Sequence, residues 1–187
     1  MTKAKFIKYG ILIFVLGLLI ALKGDFLQFK PTKLTTSLHQ TNQYSVVGIN
    51  DGDTIVVSNG LKKLTVRLIG VDTPEVVDPR KPVQCFGREA SEFTKTQLKI
   101  GAKVNLELDE TQGEIDKYGR TLAYVILVDG TNFNKKIIEE GYGQEYTYQN
   151  NKYKYHAEFI GAQDNAKVQR RGLWNDKTCG GDTKQPA

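Results

Sequence analysis

The sequence predicts an α+β domain built on a small closed β-barrel, five strands with three α-helices, for which an OB-type barrel is the economical architecture. Three observations predict it. Three short strands joined by turns precede any helix, as in an antiparallel meander. An amphipathic helix intervenes before a fourth strand, and further helices follow the fifth.

The first strand is read over residues 44–49, and Asp51-Gly52-Asp53 is the turn into a second at 54–57. Ser58-Asn59-Gly60 has hairpin chemistry, with glycine supplying the positive φ of a tight loop. The third strand is expected over 64–71, with Val66, Leu68 and Ile69 as core. It stops at Asp72-Thr73-Pro74-Glu75 because Pro74 cannot extend a ladder and drives Thr73 into an extended conformation. A polar loop with Asp78, Arg80, Lys81 and Cys85 leads to a helix over 87–100 that buries Ala90, Phe93 and Leu98 and stops at Gly101. Val104, Leu106 and Leu108 alternate as a fourth strand, and 121–128 gives the fifth. A short helix over 132–140 carries Phe133, Ile137 and Ile138 and is capped by Gly141. The last helix, over 155–171, presents Phe159, Ala162 and Ala166, and Gly172-Leu173-Trp174 ends it. The domain therefore spans 44–175, followed by a polar tail over 176–187 that is expected to be loose.

The N-terminal 1–23 has a different character. An unbroken apolar run from Tyr9 to Leu22 follows three lysines, the charge-then-apolar order of an export signal. A cut after Ala21 would leave Leu19 where a small residue is wanted. With Phe6, Ile7 and a snorkelling Lys8 included, 6–22 approaches the roughly 17–20 residues that span a bilayer. An uncleaved membrane anchor with a cytoplasmic N-terminus is preferred to a secreted, cleaved product, and both to a buried helix of a cytosolic protein. Either preferred reading places the domain outside the cytoplasm. Residues 24–43, polar and containing Pro31, form a spacer.

The net charge of +5 resembles a nucleic-acid signal, but its location undercuts that. The 26 basic residues less the four lysines flanking the apolar run leave 22, against 21 acids, a net of +1. Arguments for an anionic ligand must rest on local clusters. The two cysteines, Cys85 and Cys179, lack zinc-site spacing. They form one long-range disulfide or are two plain thiols, as the compartment decides. His39 and His156 have no partners at triad spacing and are read as structural or solvent-exposed.

Three constellations carry chemistry. Asp53 opens the strand next in sequence to the one ending at Asp72. If those ends converge, two carboxylates and the Thr73 carbonyl can hold a hard cation, with water and a phosphate completing the six to eight oxygens calcium takes. A surface turn is the bland alternative for Asp51-Gly-Asp-Thr54. Arg120, heading a strand, resembles Arg67 carried on one, and two guanidiniums on rigid elements can fork onto one phosphate. Tyr142, Tyr146, Tyr148, Tyr153 and Tyr155 lie among Lys152 and Lys154, a pattern suited to base stacking. For Tyr142 and Tyr155, packing onto the last helix is the preferred reading.

Asp51-Gly-Asp-Thr54, Arg67-Leu-Ile-Gly-Val-Asp-Thr-Pro-Glu75, Gly87-Arg-Glu-Ala-Ser91, Asp116-Lys-Tyr-Gly-Arg-Thr-Leu-Ala-Tyr124 and Gly172-Leu-Trp174 occur in one order and spacing. Together they resemble the staphylococcal nuclease (thermonuclease) family across 44–174. The resemblance implies an OB-fold barrel with three helices and a calcium-dependent nuclease, a hydrolase cutting DNA and RNA to 3′-phosphate ends. It implies Asp53, Asp72 and the Thr73 carbonyl as Ca2+ ligands, and Arg67, Glu75 and Arg120 as catalytic residues. Lys117, Tyr118, Tyr146 and, less directly, Tyr148 fall on its nucleotide-contacting positions. The expected substrate is single-stranded or locally opened DNA and RNA, and a monomer is expected. The family's type member has no cysteines, and in a family of exported enzymes Cys85 and Cys179 are read as a disulfide. Two alternatives remain: a catalytically silent, surface-tethered nucleic-acid-binding module of the same fold, and an OB barrel that binds oligosaccharide. The retained arginines and Glu75 favour the enzyme.

Overall fold

The computed structural model describes residues 43–76 and 82–186. The expected signal or anchor over 1–23, its membrane contact over 6–22, the spacer up to residue 42, and Asp78, Arg80 and Lys81 lie outside the described residues. Among the described residues no helix is long and apolar enough to cross a membrane.

Five strands close into a barrel: β1 (Gln43–Ile49), β2 (Thr54–Ser58), β3 (Lys63–Leu68), β5 (Lys103–Glu107) and β6 (Thr121–Leu127). Their order around the barrel is β1-β2-β3-β6-β5. Only β3 and β6 run parallel, with Val66 opposite Thr121 and Arg67 opposite Leu122. β1 joins β5 to close the ring, and a register shift between Val46 and Gly48 curves β1 as it wraps. Alternation along the strands sends Val46, Ile55, Val57, Val66, Leu68, Val104 and Ala123 into a fully desolvated interior. The predicted OB-type barrel with three helices is the observed fold.

The third strand is shorter than its apolar run suggests. It ends at Leu68 because Gly70 adopts φ +74°, a conformation that costs a side-chain-bearing residue about 1–2 kcal/mol. A Cβ on Gly70 would also meet the Tyr153 ring at 2.5 Å. The chain turns there, and Val71–Asp72 becomes a separate strand β4, antiparallel to β7 (Gln144–Glu145). This bend resolves a conflict in the sequence, where strict alternation would put Arg67 and Asp72 on opposite faces.

Helix α1 (Gly87–Gln97) ends three residues earlier than its pattern predicts, as Leu98 leaves helical geometry to enter the core. Helix α2 (Phe133–Glu139) starts on the Asn132 side chain, which accepts from Lys135 N–H. Phe133, Ile137 and Ile138 of α2 are buried as expected. Asn134, fully buried, donates to the Ile69 and Ala123 carbonyls and accepts from Val125 N–H. That one amide fastens α2 to both β6 and the end of β3. Helix α3 (His156–Val168) buries Phe159, Ala162 and Ala166. Its aromatic face meets Tyr124, with Tyr155 edge-on at 4.7 Å and Phe159 edge-on at 6.1 Å. Tyr142 stacks on Phe93 at 4.1 Å. Tyr142 and Tyr155 are thus packing residues.

Cys85 and Cys179 form a disulfide with Cα atoms 5.9 Å apart. The tail expected to be loose carries contacts of its own. Gly181 N–H donates to the Leu173 carbonyl at 2.9 Å, and Cys85 N–H donates to the Gln185 carbonyl at 2.9 Å. Pro186 forms a bridge with Gln84.

Candidate active site

The site begins at the Asp51-Gly52-Asp53 turn. A buried Thr94 hydroxyl on α1 donates to the Gly52 carbonyl at 2.7 Å. A Cβ on Gly52 would fall within 2.9 Å of the Thr73 side chain, so glycine lets the turn and the Asp72-Thr73 segment approach closely. Asp53, 5% exposed, receives Thr73 N–H at 2.9 Å and Thr73 Oγ1–H at 3.2 Å on its Oδ2. Its Oδ1 accepts from Thr54 Oγ1 at 3.0 Å. The predicted convergence of the two strand ends is present.

Arg67 joins the carboxylates. Its Nη1 lies 3.2 Å from Asp53 Oδ2 and its Nη2 lies 3.3 Å from Asp72 Oδ1. Nη1 also donates to the Val71 carbonyl at 2.6 Å, past the Gly70 bend. The guanidinium is mostly buried, whereas the Asp72 carboxylate is largely open to solvent. One cation is therefore set among anions that differ sharply in hydration.

Arg120 reaches the site from just ahead of β6. Its Nε and Nη2 both lie 2.7 Å from Asp116 Oδ2, and Nη1 lies 3.4 Å from Thr54 Oγ1. Burial pushes the Asp116 carboxyl up, but bonds from the Arg120 backbone and guanidinium and from Tyr118 N–H outweigh it and hold it below the usual range. Tyr118, 71% exposed, lies between the charges of Lys117 and Arg120, which approach its ring to 5.0 and 5.2 Å. Tyr146 and Tyr148 stand 6.4 Å apart, each about half exposed. Tyr146 is fixed by its N–H bond to the Gly70 carbonyl.

A groove of about 450 Å³ is lined by Arg67, Asp72, Lys117, Tyr118, Arg120, Tyr146 and Tyr148. Seven of the sequence-predicted residues meet there. Asp53 lies behind Arg67, and Thr73 behind Asp53. Glu75 is not part of that lining. Its Oε1 accepts from Val76 N–H at 2.8 Å, and its own N–H and carbonyl bond to Gln84.

The donor set is suited to a hard cation. Among the described residues no three His, Cys, Asp or Glu side chains form a ready-made cage. Two carboxylates, Asp53 and Asp72, nevertheless share one cation, Arg67. Asp51, whose Oδ1 accepts from Asp53 N–H, is pushed up to about 7 by burial first and the Asp53 charge second. Carboxylate and carbonyl oxygens so grouped fit a hard divalent cation that keeps several waters.

Three residues of the site were not singled out from sequence. Asp51 and Asp116 stood in quoted motifs as turn residues, and the available signals were an acid two residues before Asp53 and an acid four residues before Arg120. Gln84 had none, because its partner Glu75 lies across the loop.

The family model described as staphylococcal nuclease homologue matches residues 65–176. A thermonuclease of Staphylococcus hyicus is 42% identical over 169 residues, 88% of this chain and 96% of its own length. A thermonuclease of Staphylococcus intermedius is 39% identical, over 91% of this chain and 98% of its own. Endonuclease YncB of Bacillus subtilis is 38% identical over 73% of this chain and 66% of its own. Barrel, groove and relatives together define a hydrolase of the nuclease class. Within that class, the chain belongs to the staphylococcal nuclease family.

Proposed function

We propose that this nuclease is a calcium-dependent phosphodiesterase that hydrolyses DNA and RNA and leaves 3′-phosphate ends. The observation that carries the reading is Arg67, one guanidinium within 3.3 Å of both Asp53 and Asp72, beside a groove that Arg120 also lines. The Asp53 and Asp72 carboxylates and the Thr73 carbonyl would hold the calcium ion, which would supply Lewis acidity to the scissile phosphate. Arg67 and Arg120 fork onto the phosphate and meet the charge that grows on its equatorial oxygens. In doing so they exchange bonds to Asp72 and Asp116 for bonds to substrate. Glu75 orients a water for in-line attack and accepts its proton as the P–O5′ bond breaks, the departing 5′ oxygen taking a proton from solvent.

Lys117 contacts the phosphate backbone, and Tyr118, Tyr146 and Tyr148 offer open ring faces for bases. Stacking on these rings requires unpaired bases, so single-stranded or locally opened DNA and RNA are the preferred substrates. The enzyme acts as a monomer outside the cytoplasm, tethered through 6–22 or released by cleavage of that segment. Cell fractionation that recovers the intact chain in the cytosol refutes the placement.

The purified protein is incubated with plasmid DNA or an RNA oligonucleotide, with calcium or with excess chelator, and product ends are identified by mass. Cleavage with calcium alone, to 3′-phosphate ends, is expected. Glu75→Gln and Arg67→Ala each lower the rate by about 10²–10³ or more while circular dichroism stays native. Full activity in chelator or in either variant overturns the assignment. Tight binding without cleavage points instead to a silent, tethered binding module.

A further inference from the structure

We propose that Gln84 is a positioning residue for Glu75, holding both its main-chain N–H and its carbonyl so that the carboxylate keeps its aim. The proposal rests on the reading of Glu75 as the catalytic carboxylate. Glu75 follows Pro74 outside any strand, so no sheet ladder fixes its backbone. Gln84 takes that role: its Oε1 accepts from Glu75 N–H at 2.7 Å, and its own N–H donates to the Glu75 carbonyl at 2.9 Å. With both main-chain groups of Glu75 held, the Val76 N–H bond to Glu75 Oε1 at 2.8 Å sets the side chain against its own loop.

Gln84 is itself backed on three sides. Its carbonyl accepts from Gly87 N–H at 3.0 Å at the start of α1. It bridges to Pro186 in the tail, and the next residue, Cys85, is bonded to Cys179. The fit is close: a Cβ on Gly87 would meet Val76 Cγ1 at 2.6 Å and the Glu75 carbonyl oxygen at 3.1 Å. A carboxylate that orients water must hold its place, since a displacement of about 1 Å can cost on the order of 10²-fold in rate.

The test compares Gln84→Met, which keeps length but loses the acceptor, with Gln84→Glu, which keeps an oxygen at the same reach. Gln84→Asn, which keeps the amide but falls one methylene short, serves as a second loss variant. Steady-state kinetics on a single-stranded oligonucleotide are measured well below each variant's melting temperature. Gln84→Met and Gln84→Asn are expected to lower kcat by about ten- to a hundredfold with KM within about twofold, and Gln84→Glu restores most of that loss. Added to Glu75→Gln, Gln84→Met has no further effect, because the group it positions is gone. If Gln84→Met keeps kcat while Glu75→Gln abolishes it, the positioning role is wrong and the catalytic reading stands. Full activity in Glu75→Gln removes the catalytic reading, and this proposal with it. A loss confined to KM, or one undiminished in the Glu75→Gln background, also overturns the role.

Discussion

Replacing Cys85 and Cys179 together by serine removes a cross-link that spans 94 residues of sequence. The segment it encloses holds the three described α-helices, β5, β6 and β7, so most of the described domain lies inside the loop. In the chain-entropy model, closing a loop of that length stabilises the fold by about 4.7 kcal/mol. The native side of the balance changes little, because bonds such as Thr178 Oγ1 to the Gly172 carbonyl at 2.6 Å and Gly181 N–H to Leu173 hold the tail locally. The loss should therefore act through the unfolded chain. At roughly 2–4 °C per kcal/mol for a domain of this size, the melting temperature should fall by about 10–20 °C. Urea titration of the two proteins checks it: the variant should show a lower midpoint and a larger m-value, since its unfolded state is more expanded. A loss under about 1 kcal/mol with an unchanged m-value would refute the reasoning.

Gly70→Ala forces a side chain to φ +74° and into the Tyr153 ring, and should cost roughly 2–4 kcal/mol by denaturant titration. A neutral result would show that the bend needs no glycine. Asn134→Ala leaves the buried Val125 N–H and Ile69 carbonyl without this partner, costing about 2–4 kcal/mol; a change under 1 kcal/mol would contradict the role given to that amide. Asp109 tests the acid side. Burial pushes its carboxyl up, but Lys154 N–H, the Tyr124 hydroxyl and Thr111 hold it below the usual range. Its contribution is complete above the unfolded pKa of about 3.9 and is lost as pH falls through the lower folded value. Wild type and Asp109→Asn should therefore differ at pH 6 and converge toward pH 2, and parallel urea midpoints across that range would be inconsistent with it.

The barrel strands were legible because each is a short alternating run closed by glycine, asparagine or aspartate. The break at Leu68 was less so. Leu64 to Val71 reads as one run, apolar but for Thr65 and Arg67, and what divides it, at the Gly70 turn, is the pairing of Val71–Asp72 with Gln144–Glu145, some seventy residues on, a tertiary choice that no local pattern displays. Asp53, Asp72, Arg67 and Arg120 were legible as charged residues at strand ends, where a rigid element aims a side chain. Their mutual contacts were not, because Arg67 reaches Asp72 only through the turn at Gly70, and Arg120 reaches Thr54 only because β6 lies beside β3. Gln84 was invisible for a related reason: a glutamine between Pro82 and Cys85 looks like any loop residue until the loop closes on Glu75. The tail looked loose on composition alone, since hydrogen bonds to its backbone leave no mark on side-chain identity.

The parallel contact between β3 and β6 has a consequence for how this site can vary. Neighbouring strands lie about 4.8 Å apart whatever sequence they carry, and Arg67 sits opposite Leu122, two residues beyond Arg120. On the proposed reading of Arg67 and Arg120 as a phosphate clamp, its gauge is thus inherited from main-chain geometry. Connecting segments, including the stretch from Glu75 to Gln84, can lengthen or shorten without resetting it. Under that proposal, substrate range can drift with the loops while the spacing of the two arginines stays constant.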